Sequence, residues 1–156
     1  MNGIYHKVGI RADEREVMDA LTTKKGLAGW WTKEVEGNFS SEVYGVGDLI
    51  HFGFGHKNFI EMKVEILESK HLLWECVAGP EDWIGSHVDF QLSLSKAPDG
   101  ERMTILYFRH QDWKTESDFT AHCSMKWAIF LLSLKNLVET GVGKPSPEDI
   151  KIDDLN

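Results

Sequence analysis

Apolar residues recur at every second position in several stretches of this chain and at every third or fourth position in two others. The first period is that of a strand with one buried face, and the second is that of an amphipathic helix. Residues Ile4 to Arg11 alternate in part and predict an opening strand. Asp13, with Glu16 three residues on, has the spacing of a helix N-terminus, and Val17, Ala20 and Leu21 follow at helical steps. Thr22 to Gly26 reads as the break that ends this helix, and a short second helical piece runs on to Trp30 and Trp31.

From Thr32 onward the period is two. Asp48 to Phe54 sets Ile50, Phe52 and Phe54 on one face. Phe59 to Glu68 sets Ile60, Met62, Val64 and Ile66 against Glu61, Lys63 and Glu65, and residues 53–58 between the two strands form a hairpin turn. His71 to Ala78 carries Leu72, Trp74, Cys76 and Ala78 on one side, and Ser86 to Ser95 carries Val88, Phe90, Leu92 and Leu94. After the turn at Pro98-Asp99-Gly100, Arg102 to His110 aligns Thr104, Leu106, Phe108 and His110. One face of successive strands is thus apolar and aromatic and the other mostly polar, the pattern of an antiparallel meander covered on one side.

The cover follows directly. Thr115 or Ser117 caps a helix running to about Glu139, with Phe119, Cys123, Trp127, Phe130, Leu131, Leu134, Leu137 and Val138 at three- and four-residue steps. Gly141 and Gly143 stop it, and Pro145 and Pro147 prevent its resumption. The expectation is one α+β domain over residues 1–143: two short helices after the first strand, six or seven strands, one long C-terminal helix, and a loose tail over 144–156.

Composition narrows the function classes. With 156 residues, 42% hydrophobic and 27% charged, the chain can bury one sizeable core. A net charge of −8 and the lack of a basic stripe argue against nucleic acid and against docking on anionic membranes. The longest mostly apolar stretch, Trp127 to Leu132, falls far below the roughly 20 residues that span a bilayer. Residues 1–10 do not read as a signal peptide, and two cysteines allow at most one bridge, so a cytoplasmic protein with reduced thiols is expected. Gly45-Val46-Gly47 and Gly53-Phe54-Gly55 lack the spacing of a phosphate loop.

Four local patterns carry a family resemblance. They are the helix leading into Gly29-Trp30-Trp31; Trp74-Glu75-Cys76 followed by residues 79–85; Phe90-Gln91-Leu92 with residues 108–113; and Phe119, Cys123 and Trp127 with residues 130–135. With the order of elements, these make residues 3 to 143 resemble the START-like, or SRPBCC, superfamily, and within it the branch related to the activator of heat-shock-protein-90 ATPase. The resemblance implies a helix-grip fold, a curved sheet around the long helix. Superfamily members bind sterols, lipids, plant hormones and polyketides, and some are enzymes, so the fold alone transfers no activity.

Six Trp and eight Phe make the interface of sheet and helix the candidate site. By parity Trp74, Phe90 and Phe108 line the concave strand face and Trp127 faces them from the helix, while Trp30, Trp31, Trp83 and Trp113 rim an opening. Two readings stand: the rings wall a cavity for an apolar or amphipathic ligand, or they pack into a solid core. His110 ends its strand on the buried face, near Cys76 and Cys123, and either anchors a ligand's polar group or is a bonded core histidine. Cys76, His110 and Cys123 show no zinc-ligand spacing, and neither metal nor cofactor is expected. Cys123 with His110 is the one nucleophile–base pair available to an enzyme. The leading expectation is a small-molecule binding module using Trp74, Cys76, Trp83, Phe90, Phe108, His110, Trp113, Cys123 and Trp127, acting as a monomer or weak dimer. The alternative is a chaperone-assisting module, marked by an exposed apolar patch around Trp30, Trp31 and Trp113.

Overall fold

A computed structural model describes residues 3–37 and 42–156. Residues 38–41, within the alternating stretch after Thr32, lie outside the described residues. The strands are β1 (Gly3–Ile10), β2 (Glu34–Gly37), β3 (Leu49–Gly53), β4 (Phe59–Glu68), β5 (His71–Ala78), β6 (His87–Lys96) and β7 (Arg102–Gln111). The helices are α1 (Glu14–Thr22), α2 (Lys24–Trp30) and α3 (Asp118–Thr140), with a single 3-10 turn at Glu81–Trp83. All seven strands form one antiparallel sheet in the order β1-β7-β6-β5-β4-β3-β2, with α3 packed against β1 and α2. This is the α+β helix-grip architecture that the pattern and the resemblance led us to expect.

Local chemistry sets the element ends. Asp13 accepts from the Glu16 N–H at 2.9 Å and starts α1. Ser117 caps α3 with a reciprocal pair of bonds to Thr120, and Gly141 ends it with φ 87°, a left-handed conformation that costs glycine little. The break between α1 and α2 is narrower than the sequence pattern implies. Thr23 alone interrupts the helix and caps α2 by accepting from the Gly26 N–H at 2.9 Å. Gly26 is therefore no breaker. It lies buried inside α2, where a Cβ would meet the Ala20 carbonyl oxygen at 2.5 Å, and its missing side chain lets the two helices close up.

Two register shifts alter the pairing of β4 with β5: one between Glu61 and Met62, which sets Ala78 opposite Glu61, and one between Val64 and Ile66. β4 pairs Val64 with Trp74, but then Ile66 with Leu73 and Leu67 with Leu72. The extra residue switches the side-chain parity, so Leu67 rather than Ile66 joins the core side. Strict alternation cannot signal this.

The larger difference concerns 144–156. In place of a loose tail, the segment docks on α3 and on the end of α2. Ser146 N–H donates to the Trp31 carbonyl at 2.8 Å, and the Lys144 N–H to Ser133 Oγ at 2.7 Å. Lys126 Nζ binds Asp149 and the Ile150 carbonyl, and His122 Nδ1 lies 2.7 Å from Asp153. Lys126 and Ser133, polar positions on α3, are buried because this segment covers them. Among the described residues, no helix is long and apolar enough to cross a membrane.

Candidate functional site

The concave side of the sheet is filled by aromatic rings. Trp31 stacks on Trp74 with centroids 6.0 Å apart and meets Phe52 at 4.3 Å and Trp127 at 5.0 Å. Trp74 meets Phe90 edge-on at 5.0 Å, Phe90 meets Phe108 at 5.4 Å, and Phe108 meets Trp127 at 4.6 Å. Trp74, Phe90 and Phe108 have no exposed surface. Ring distances of this kind are those of mutual packing. In this region the solid-core reading describes the protein.

His110 is a bonded core histidine. Trp127 Nε1–H donates to its Nδ1 at 3.1 Å, and its Nε2 meets Ser86 Oγ at 2.8 Å. Ser86 in turn donates to the Trp83 carbonyl at 2.5 Å, and Trp113 Nε1–H donates to the His110 carbonyl at 3.1 Å. Burial lowers the His110 pKa to about 3, with a smaller contribution from His87, so the ring stays neutral. Both ring nitrogens are committed within the protein.

The two thiols are separate from each other in role. Cys76 is enclosed, with Sγ 3.4 Å from the Ala78 carbonyl, and burial pushes its pKa up to about 11. Burial likewise pushes Cys123 up to about 12, against a hydrogen bond from the Trp83 indole. Neither has the lowered pKa of an activated nucleophile. Among the described residues, no three His, Cys, Asp or Glu side chains cluster as metal ligands do.

Open space lies elsewhere. A half-open cleft of about 630 Å³ sits at the end of the sheet–helix interface. Its apolar walls include Trp31, Phe54, Ile60, Trp83, Trp127 and Phe130, and Ser146, Pro147 and Asp149 of the docked segment close one side. Of the residues expected to bind ligand, Trp83, Cys123 and Trp127 line this cleft. Trp74, Cys76, Phe90, Phe108, His110 and Trp113 do not. Trp30 is buried, with Nε1 donating to the Ala20 carbonyl at 3.0 Å, and Trp31 and Trp113 are buried as well. The apolar patch expected around Trp30, Trp31 and Trp113 is therefore not an exposed one.

Trp83 stands out in the wall. It is 5% exposed, and its indole Nε1–H has no oxygen or nitrogen acceptor among the described residues, only the weakly accepting Cys123 sulfur. The indoles of Trp30, Trp74, Trp113 and Trp127 all donate to nitrogen or oxygen. A buried donor left with so weak an acceptor costs free energy.

The sequence did not point to the charged part of the lining: Lys57 from the β3–β4 turn, His122 and Lys126 on α3, and Asp149 and Lys151 from the docked segment. Lys126 lies three residues after Cys123 and four before Phe130, and is not among the residues expected to form the site. A lysine beside the apolar stripe was the one available signal.

No protein-family model matches the chain, and no curated protein matches it. Among solved structures, the chain is similar to Aha1 from Colwellia psychrerythraea, solved as a dimer in solution. Identity is 38%, the match covers 92% of this chain and 100% of that one, and the TM-score is 0.77. A protein from Staphylococcus saprophyticus shares the fold at 17% identity and a TM-score of 0.70, covering 91% of this chain and 95% of that one. DynU16, a protein of the dynemicin biosynthetic locus, shares it at 20% identity and a TM-score of 0.66, covering 92% of this chain and 49% of that one. The full-length match to the Colwellia protein, on the sheet and gripping helix described above, places this chain in the Aha1 family of the START-like, or SRPBCC, superfamily.

Proposed function

We propose that this protein is a small-molecule binding module whose amphipathic ligand sits in the end cleft, rather than deep between sheet and helix. The observation that carries the reading is the cleft itself. Its volume of about 630 Å³ falls within the roughly 300–1,000 Å³ of ligand pockets, and it has an aromatic wall that includes Trp83, whose buried indole N–H has no oxygen or nitrogen acceptor among the described residues. The ring-filled interior leaves His110 a structural role, so the polar anchor passes from His110 to Trp83. A screen of fatty acids, polyketides and aromatic compounds by thermal shift and tryptophan fluorescence tests it. A saturable response that weakens in Trp83→Phe is the expected result. No saturable response from any class overturns the reading.

Catalysis has less support. The Cys123–His110 pair that an enzyme would use is disabled on both sides, by a thiol held at about 12 and a histidine with both nitrogens bonded. A chaperone-assisting role follows from the family name, and the Colwellia relative's dimer makes a second copy a partner to examine. A pull-down that recovers no chaperone counts against the first, and a monomeric mass in sedimentation counts against the second.

A further inference from the structure

Lys126 is a buried charge on α3. Its side chain is 10% exposed and its ammonium lies 5.4 Å from the centre of the Phe130 ring, at the apolar wall of the cleft. An enclosed ammonium requires a carboxylate, because desolvation penalises it heavily when unpaired. That carboxylate is Asp149, 3% exposed, which the docked segment 144–156 carries in from outside the sheet–helix core. Asp149 has a second cation, Lys151, whose Nζ is 2.9 Å from its other oxygen. Removing Asp149 from Lys126 would therefore not leave the aspartate without a partner.

The charge around the cleft also runs against that of the whole chain. Its lining includes three lysines (Lys57, Lys126 and Lys151) and one carboxylate side chain, Asp149, in a protein of net charge −8. Lysines at a low-dielectric wall favour an anion. Beside them lie Trp31, Trp83, Trp127 and Phe130. The combination suits one ligand class, an apolar or aromatic body ending in an acid.

We infer, resting on the binding reading above, that the cleft takes an amphipathic carboxylate whose head replaces Asp149 on Lys126. Its body lies against Trp31, Trp83, Trp127 and Phe130. The segment 144–156 is then an internal competitor. Its Asp149 fills the headgroup position until a ligand carboxylate displaces it, and Lys151 retains Asp149 afterwards.

Calorimetric titration of the full chain with naphthoate, naphthalenemethanol and naphthylmethylamine tests this, since the ring is constant and only the head changes. Naphthoate is expected to bind at least about tenfold more tightly than the alcohol, the scale of one charge-assisted hydrogen bond, with the amine weakest. Lys126→Met, which keeps an apolar stem of similar length, should erase the preference for the acid and leave alcohol binding in place. Asp149→Asn should tighten naphthoate several-fold and leave the alcohol unchanged. If either variant does not fold, the ratio of acid to alcohol in the unaltered protein still decides. Equal binding of acid and alcohol, or a preference for the amine, overturns the inference and leaves the binding reading standing. Silence from all three probes overturns the inference, and if the wider screen is also silent the binding reading falls with it.

Discussion

Trp127 on α3 donates its indole N–H to Nδ1 of His110 on β7 at 3.1 Å, a directed bond between helix and sheet inside an aromatic cluster. Because Nδ1 accepts, the proton of the neutral ring must sit on Nε2, which donates to Ser86. Ser86 then has its own proton to give to the Trp83 carbonyl. The polarity runs one way through four residues, from the long helix to the 3-10 turn at the rim of the cleft. Ring packing and this chain of directed bonds together hold α3 on the sheet.

His110 is held neutral, and stability should show it. Folding lowers its pKa from 6.5 to about 3, so the unfolded chain takes up a proton first as the pH falls. The stabilisation is complete above about pH 6.5 and is lost progressively as pH drops toward 3. His110→Gln keeps one acceptor and one donor but cannot titrate. Urea melts across this window should show the wild-type protein losing up to about 1.4 kcal/mol per pH unit relative to His110→Gln. Parallel pH profiles for the two would contradict the assignment. At neutral pH, His110→Leu should cost about 1–3 kcal/mol more than His110→Gln, because the Trp127 N–H loses its acceptor.

Trp127 borders the cleft on one side and packs against Trp31, Trp83 and Phe108 on the others. Trp127→Ala should cost about 3–5 kcal/mol in equilibrium unfolding. A loss well below that would mean that the ring meets void or solvent rather than neighbours. Trp127→Phe removes the hydrogen bond together with part of the packed ring, and should cost at least the roughly 1–3 kcal/mol of the lost bond.

The docked segment can be released at one pair. Burial acts to raise the Asp149 pKa, but hydrogen bonds from Lys126 and Lys151 outweigh it and hold the carboxyl below its ordinary value. Its stabilising contribution is present above the usual carboxylate pKa and is lost as the pH falls through the lowered one. Asp149→Ala leaves Lys126 buried and unpaired and should cost about 3–5 kcal/mol. Hydrogen exchange should localise the loss to 144–156 and the facing turns of α3. Replacing both partners together, Lys126→Met with Asp149→Leu, should recover most of it, and failure to recover would show that the pair itself stabilises the fold.

Gly26 tests the close approach of α1 and α2. A methyl group there would press on the Ala20 carbonyl at 2.5 Å, which is backbone and cannot swing aside. Gly26→Ala should therefore destabilise by about 1–3 kcal/mol despite alanine's better helix propensity. A stabilised variant would show that Gly26 is only a weak helix former at an open position.

What the sequence determined by itself was local. Though they miss β2 as a separate strand and the narrow break at Thr23, periods of two and of three to four, with Asp13 and either Thr115 or Ser117 as caps and Gly141 and Gly143 as stops, place most strands and helices close to their observed ends. Each depends on neighbours in the chain, and from parity it follows that Trp74, Phe90 and Phe108 share the buried face with Trp127 opposite. Whether those rings enclose space or fill it depends on distances between elements, which spacing along the chain does not encode. The bulge that exchanges Ile66 for Leu67 is set by pairing with β5. The burial of Lys126 is set by Asp149, a residue 23 positions away on a segment without periodicity. Only the tertiary structure could place that segment. It is held by a few polar bonds to partners far along the chain and has no repeating apolar face, so the cleft it closes appears only once the chain has folded.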